Sequence, residues 1–263
     1  MNKKALVPNF ITLSNLFLGF SALLLISNEK YIAACWLIVV AGILDGLDGL
    51  TARLFKSNSK FGAEIDSLAD VVSFGVAPAL LVYRVFFQSF GFIGNLLAFL
   101  PLLCGVLRLA RYNSMPPLKA KFRGFKGLPI PSSAVTLAAF VIYIYAIHGG
   151  YTDKRILFSL VIAVSLLMVS PIPYRRMPVI VIRGSRFPQI GIVFWVLVLS
   201  AFIWKPALVL LPIMLVYLFT GPVEWLLNQI GVVHTTIDED DEIPESQTVT
   251  RRSANPRLSR RDK

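Results

Sequence analysis

Five acidic residues, Asp45, Asp48, Glu64, Asp66 and Asp70, fall within one 26-residue window of a chain that holds only eight before residue 232. Their surroundings are apolar, and a carboxylate inside a membrane span costs about 2.5–3.5 kcal/mol on insertion scales. Four of them at one depth therefore need a compensating cation or a wet cavity. At about 100° per residue, Asp45, Asp48, Gly49 and Ala52 share one face of a helix, and Gly62, Asp66 and Asp70, each four apart, share one face of the next. The short basic connection from Arg53 to Phe61 makes these helices antiparallel neighbours, so two carboxylate pairs face each other. Left bare, the four charges would repel and raise one another's pKa values. Hard oxygen ligands with no His or Cys nearby suit Mg²⁺ or Mn²⁺, with Ca²⁺ as the third choice. The pattern reads as a metal-binding carboxylate site.

Other residues extend that chemistry. Gly49 and Gly62 leave bare backbone against which a nucleotide can lie, and Arg53, at the helix end, is placed to hold a diphosphate by charge-assisted hydrogen bonds. Each also has a plainer use, since small residues mediate helix contacts and Arg is common at cytoplasmic helix ends; the combined spacing is what carries weight. Arg108 lies inside an apolar run, where a guanidinium is costly, with Arg111 one turn later. Lys126 sits in a Gly-flanked loop, Gly124 to Gly127. These three cations are candidates for a polar substrate or a lipid phosphate, against plain interfacial anchoring. Asn9, Thr12 and Asn15 put polar atoms along one face of the first run, for a nucleotide pocket or for interhelical hydrogen bonds. Ser73, Ser132 and Ser133 read as helix-packing hydroxyls. His148 and His234 stand far from the acids and have no catalytic part.

The elements that must position these residues are membrane spans. The chain has 263 residues, 56% hydrophobic and only 16% charged, against about 25% charged in soluble domains, and its mean hydropathy is +0.68. Apolar runs of near-spanning length recur at about 10–27, 31–52, 66–87, 92–110, 129–148, 156–173, 189–204 and 206–227. The expected fold is an all-α polytopic transmembrane bundle of about eight spans, six at the fewest. With a cytoplasmic N-terminus, fourteen Lys and Arg fall on inner segments before the tail and four on outer loops, which sets the orientation. The net charge of +11 then reflects orientation and contact with anionic membrane lipids, and no nucleic-acid partner is expected. The first run has Lys3 and Lys4 before it but no small-residue cleavage site after Ser27, so it reads as a retained helix. Cys35 and Cys104 stand singly in apolar runs, as small packing residues. Residues 1–231 form the membrane-embedded domain. Residues 232–263, acidic from Asp238 to Glu242 and then basic, read as a disordered charged cytoplasmic tail.

The run Asp45, two residues, Asp48-Gly49, two residues, Ala52-Arg53, eight residues, Gly62, three residues, Asp66, three residues, Asp70 resembles the signature of the CDP-alcohol phosphatidyltransferase family at every fixed position. The resemblance implies a membrane-embedded helical homodimer with two divalent metal ions, Mg²⁺ or Mn²⁺, in a site open to the cytoplasm. It implies that Asp45, Asp48, Asp66 and Asp70 hold the metals, that Gly49, Ala52, Arg53 and Gly62 accommodate the CDP moiety, and that Asp70 is the general base. Within the family, the segments from Pro8 to Asn15, Asp70 to Pro78, Arg108 to Asn113 and Phe125 to Pro131 are similar to integral-membrane phosphatidylserine synthases. That likeness implies CDP-diacylglycerol and L-serine as substrates and a bacterial cytoplasmic membrane as the location. The alternatives are a sibling transferase acting on glycerol phosphate, inositol phosphate or choline, because the signature reads the CDP half, and a divalent-cation carrier. Against a carrier, the acids sit near one face and no carboxylates in other runs continue a path.

Overall fold

The computed structural model describes residues 6–55, 60–114, 125–150, 154–174 and 204–230, and they are almost wholly helical. Helix α1 is Leu6–Ser27 and α2 is Tyr31–Phe55. The third apolar run is a chain of helical pieces: α3 (Lys60–Asp70), a π turn (Val71–Val76), α4 (Ala77–Val82), a second π turn (Tyr83–Phe87) and a 3₁₀ turn (Gln88–Phe90). Then come α5 (Gly91–Asn113), α6 (Ile130–His148), α7 (Lys154–Val169) and α8 (Pro206–Gln229). One two-residue antiparallel pair, β1 (Phe125–Lys126) with β2 (Pro173–Tyr174), staples the entry to α6 onto the exit from α7. The run expected over 189–204, Trp204 aside, and the tail from 232 lie outside the described residues.

Among the described residues, four helical runs are long and apolar enough to cross a bilayer: Phe10–Ser27, Phe61–Asn113, Ile130–His148 and Pro206–Gln229; Tyr31–Leu47 and Arg155–Val169 are shorter apolar helices. The count of about eight spans is not reached among the described residues, where one expected run is not described and others merge or fall short. The 53-residue run Phe61–Asn113 would be about 80 Å long if straight, more than twice a hydrocarbon core of about 30 Å. It reverses at Gly91, whose φ of 56° and ψ of −131° no helix tolerates, and α5 packs back on α4 and both π turns. Gly94 permits the tight return, since a Cβ there would collide with the Phe87 carbonyl. Helix α7, at 16 residues, spans only about 24 Å. Lipid rather than water suits the periphery, where Phe10, Phe17, Phe92 and Trp204 are 67–84% exposed.

The bundle is centred on α6, thirteen of whose residues are buried. It touches α2, α4, α7 and the first π turn. Small residues set these approaches, as packing between helices in lipid requires. A Cβ on Gly42 would come 2.9 Å from Val135 of α6, and one on Gly75 would come 2.8 Å from Leu102 of α5. The tightest contact is α1 on the first π turn: a Cβ on Gly19 would overlap the Ser73 side chain and come 2.7 Å from its Cα. There Ser73 Oγ donates to the Asn15 carbonyl at 2.9 Å.

That turn has a local cause. Pro78 has no N–H to give the Phe74 carbonyl, and the Ala77 N–H instead reaches back five residues to the Val72 carbonyl. The wide turn re-phases the helix, so that the consecutive residues Ser73, Phe74 and Gly75 are all buried, held by α1, α2 and α5 in turn. Gly19→Ala should therefore lower the thermal midpoint, overpacking of this kind costing about 1–3 kcal/mol. Gly46→Ala, whose Cβ meets nothing within 4 Å, should leave it level or raise it. Equal midpoints for the two variants would show that the α1 contact is not tight.

Candidate active site

Helix α2 brings Asp45 to the site three residues past Gly42, whose bare backbone lies against Phe74 and Val135. Helix α3 brings Asp66 and Asp70 on one face, and Asp70 is its last residue before the π turn. Carboxylate oxygens of Asp45, Asp66 and Asp70 all lie within 4.8 Å of one another. Asp70 is only 9% exposed; Asp45 and Asp66 are half-buried. At an effective dielectric of about 20, each pair of charges at such separations repels by about 3 kcal/mol or more. Three pairs approach the whole stability of an ordinary domain. Three of the four acids expected to converge thus meet, and their donor set is all hard oxygen, the set that fits a divalent cation of the Mg²⁺ or Mn²⁺ kind.

Asp48, Gly49, Ala52 and Arg53 continue α2 along the same face, with their side chains outside the described residues. Gly62 stands half-buried two turns before Asp70, and Glu64 is exposed and takes no part in the cluster. Ser67 and Asn113 tie the acidic end of α3 to the end of α5, Asn113 Nδ2 donating to Ser67 Oγ at 3.1 Å.

The three cations separate. Arg108 continues the buried stripe of α5 formed by Gly94, Ala98, Pro101 and Gly105, is 6% exposed and feels the Asp70 charge. Arg111 points elsewhere: its Nη1 donates to the Val169 carbonyl at 3.1 Å, capping the last turn of α7, where a cation offsets the helix dipole. The Lys126 side chain lies outside the described residues, but its backbone is paired with Pro173 in the staple. The following residues are fixed by Gly127 N–H to the Ile172 carbonyl at 2.8 Å and Leu128 N–H to the Leu167 carbonyl at 2.9 Å. Gly127 is obligatory there, with φ of 85° and no room for a Cβ beside the Met168 carbonyl.

Two buried polar groups gain importance from the structure. Asn15 is 1% exposed, on the face of α1 that meets the π turn, and neither of its side-chain polar atoms has a partner among the described residues. Side chains lean toward a helix's N-terminus; α1 and α3 run the same way, with α2 returning between them. The Asn15 amide therefore leans from the level of Ser73 toward that of Asp70. Tyr217 of α8, 9% exposed, shares a hydrogen bond with Ser132 and feels Arg108. A lone tyrosine inside an apolar run was the only sequence signal for it. A cavity of about 560 Å³ between α6, α7 and α8 is lined by apolar residues such as Phe140, Leu160 and Leu215, and none of the acids borders it.

Residues 5–170 match the CDP-alcohol phosphatidyltransferase family, and the chain belongs to it. It is thus a phosphatidyltransferase and, with its long apolar helices, an integral membrane protein. It is 36% identical over 235 residues to a CDP-diacylglycerol–serine O-phosphatidyltransferase of Helicobacter pylori, covering 89% of this chain and 96% of that one. It is 40% identical over 172 residues to an archaetidylserine synthase of Methanothermobacter thermautotrophicus, covering 65% of this chain and 70% of that one. A Mycobacterium bovis CDP-diacylglycerol–serine O-phosphatidyltransferase is 37% identical over 179 residues, covering 65% of this chain and 62% of that one.

Saturating the cluster with a cation that binds only the folded state should stabilise it, by about 2.7 kcal/mol at a hundred times the Kd. Adding Mn²⁺ or Mg²⁺ to detergent-solubilised protein should raise its thermal midpoint, and Asp66→Asn should remove most of the rise. An unchanged midpoint in the wild-type protein would take the metal out of this cluster.

Proposed function

We propose that the chain transfers a phosphatidyl group from CDP-diacylglycerol to the hydroxyl of L-serine, giving phosphatidylserine and CMP. The observation that carries this reading is the meeting of Asp45, Asp66 and Asp70 at mutual distances within 4.8 Å, in a chain whose relatives include CDP-diacylglycerol–serine O-phosphatidyltransferases. In the proposed arrangement Asp45, Asp48, Asp66 and Asp70 hold two divalent ions, Mg²⁺ or Mn²⁺. When bound, these supply Lewis-acid polarisation of the diphosphate and charge for the departing phosphate. Gly49, Ala52 and Gly62 accommodate the CDP moiety against bare backbone, and Arg53 pairs with its phosphates. Asp70, the most buried of the three described acids, takes the proton from the serine hydroxyl as that oxygen attacks phosphorus. The displacement is direct, with no covalent enzyme intermediate.

The Asn15 amide, buried without a partner among the described residues, serves as a ligand-facing group on the nucleotide side. An unsatisfied buried amide costs about 1–3 kcal/mol, a cost that binding would relieve. Arg108 stands on the acceptor side, with Lys126 as the second cation for serine or lipid phosphate; the cap on α7 supports an architectural part for Arg111. The wider reading is an eight-span domain over residues 1–231 with its N-terminus and active site at the cytoplasmic face of a bacterial inner membrane. A charged tail from 232 and a homodimeric assembly complete it. A second reading, with an archaeal-lipid analogue as donor, is favoured by the likeness to the archaetidylserine synthase; serine is the acceptor in both.

The decisive experiment supplies purified protein with CDP-diacylglycerol, Mn²⁺ or Mg²⁺ and serine, glycerol phosphate, inositol phosphate or choline in turn, and follows CMP release. Serine should support turnover well above the rest, and an archaeal-lipid donor tests the second reading. Asp70→Asn should abolish turnover while leaving membrane insertion intact; near-normal activity would remove Asp70 from both its base and metal roles. Asn15→Leu should lower activity yet raise the thermal midpoint, because it removes the orphaned amide; a fall in both would make Asn15 a packing residue.

A further inference from the structure

Helix α8 lies beyond the residues that define the family, yet it delivers a polar group to the catalytic side of the bundle. Tyr174 of β2 is 2% exposed and donates from its hydroxyl to the Leu218 carbonyl at 2.9 Å. Burial pushes this phenol up, with Tyr217 adding to the effect, so it stays a protonated donor. Its ring fills the space left by Gly221, where a Cβ would come within 2.5–2.7 Å of it, and lies 5.9 Å from the ring of Tyr217. One buried side chain thereby fixes the rotation of α8 and aims Tyr217 at Ser132 on α6 and Arg108 on α5. Tyr112 closes the other side, its ring centroid 4.8 Å from the Arg108 guanidinium carbon.

We infer that Arg108, Tyr217 and Ser132 form the pocket for the acceptor's α-carboxylate, with Tyr217 the residue that makes the enzyme select an amino-acid alcohol. The inference rests on serine being the acceptor and says how it is recognised. A guanidinium stacked on a ring presents its edge to a ligand, and that edge matches a carboxylate. The phenol and the serine hydroxyl add neutral hydrogen bonds in apolar surroundings, where they are strongest. In serine only two carbons separate the reacting hydroxyl from the carboxyl carbon, so the cation holding one must stand close to the base serving the other. Arg108 stands on the side of α5 where the Asp70 charge acts on it, as that condition requires. A cation here also repels choline, and a single guanidinium matches one negative charge better than a phosphate dianion.

The test compares L-serine with serinol, the achiral analogue that keeps the hydroxyl and ammonium but carries a second hydroxymethyl group in place of the carboxylate, using the full-length protein with CDP-diacylglycerol and metal. The wild-type enzyme should prefer serine strongly, because a site built for a charged group rejects the analogue without it. Tyr217→Phe, which deletes one oxygen and keeps the ring, should raise the KM for serine roughly ten- to a hundredfold. It should leave the KM for CDP-diacylglycerol in place and shrink the serine-to-serinol preference by a similar factor. Arg108→Lys should collapse that preference further. If the lysine variant does not fold, Tyr217→Phe and Ser132→Ala decide. An unchanged serine KM and an unchanged preference in both would overturn the pocket while leaving serine as substrate. A wild-type enzyme that releases no CMP with serine would overturn the acceptor assignment itself.

Discussion

Mutual repulsion among carboxylates is the constraint on which the rest of this protein turns. Three acids with oxygens within 4.8 Å, two half-buried and one nearly inaccessible, are an arrangement that folding alone disfavours. Hydrocarbon around them removes the water that would screen them, so the helices bearing them tend to be pushed apart. What opposes this is packing: Gly19 against Ser73, Gly42 against Val135 and Gly75 against Leu102 bring backbones closer than any larger residue permits. The contacts surround the acids without including them. They draw the helices together through residues other than the acids themselves, as a preorganised site requires.

The π turn after Asp70 is the other half of that device. A regular helix buries one stripe, but Val71–Val76 must satisfy neighbours on three sides at once. An extra residue in the turn lets Ser73 reach α1, Phe74 reach toward α2 and Gly75 admit α5. Asp70 is thereby held at the point where three helix contacts meet, and its position is the hardest to disturb of any acid in the cluster. Wide turns of this type are energetically poor in isolation and persist where surrounding contacts require them.

Much of the site was legible in the sequence because it depends on local periodicity. The spacing of Asp45, Asp66 and Asp70 on two consecutive helices, with a short connection, nearly dictates their meeting. Seven of the eight apolar runs coincide with helices among the described residues, although fewer are individually long enough to span. What was not legible depends on tertiary partners. Arg108 and Arg111 look alike in sequence, one turn apart, yet one is buried over the Tyr112 ring and the other caps α7. Nothing local distinguishes them, because the difference is which neighbouring helix each one faces. The π turn was equally hidden, since Pro78 in a helical run is compatible with a kink, a break or a wide turn. Tyr217 lies about a hundred residues from its partners, and only the Tyr174 and Gly221 contact establishes where it points.

These differences fall into a pattern. The residues legible from spacing lie on α2 and α3, within the region that matches the family, and in the proposed arrangement they serve the activated donor. The residues whose partners only the fold reveals, Arg108, Ser132 and Tyr217, come from α5, α6 and α8, and Tyr217 lies outside that region. Asp70 stands between the two groups, with the acids on one side and the Arg108 field on the other. A common donor imposes the same ligand geometry on every member, so its residues form a motif. An acceptor that differs among members imposes no such uniformity, and its contacts can come from any helix that reaches the far side of the base. The signature can then remain intact while the acceptor changes, because the groups that would read it are anchored to different helices.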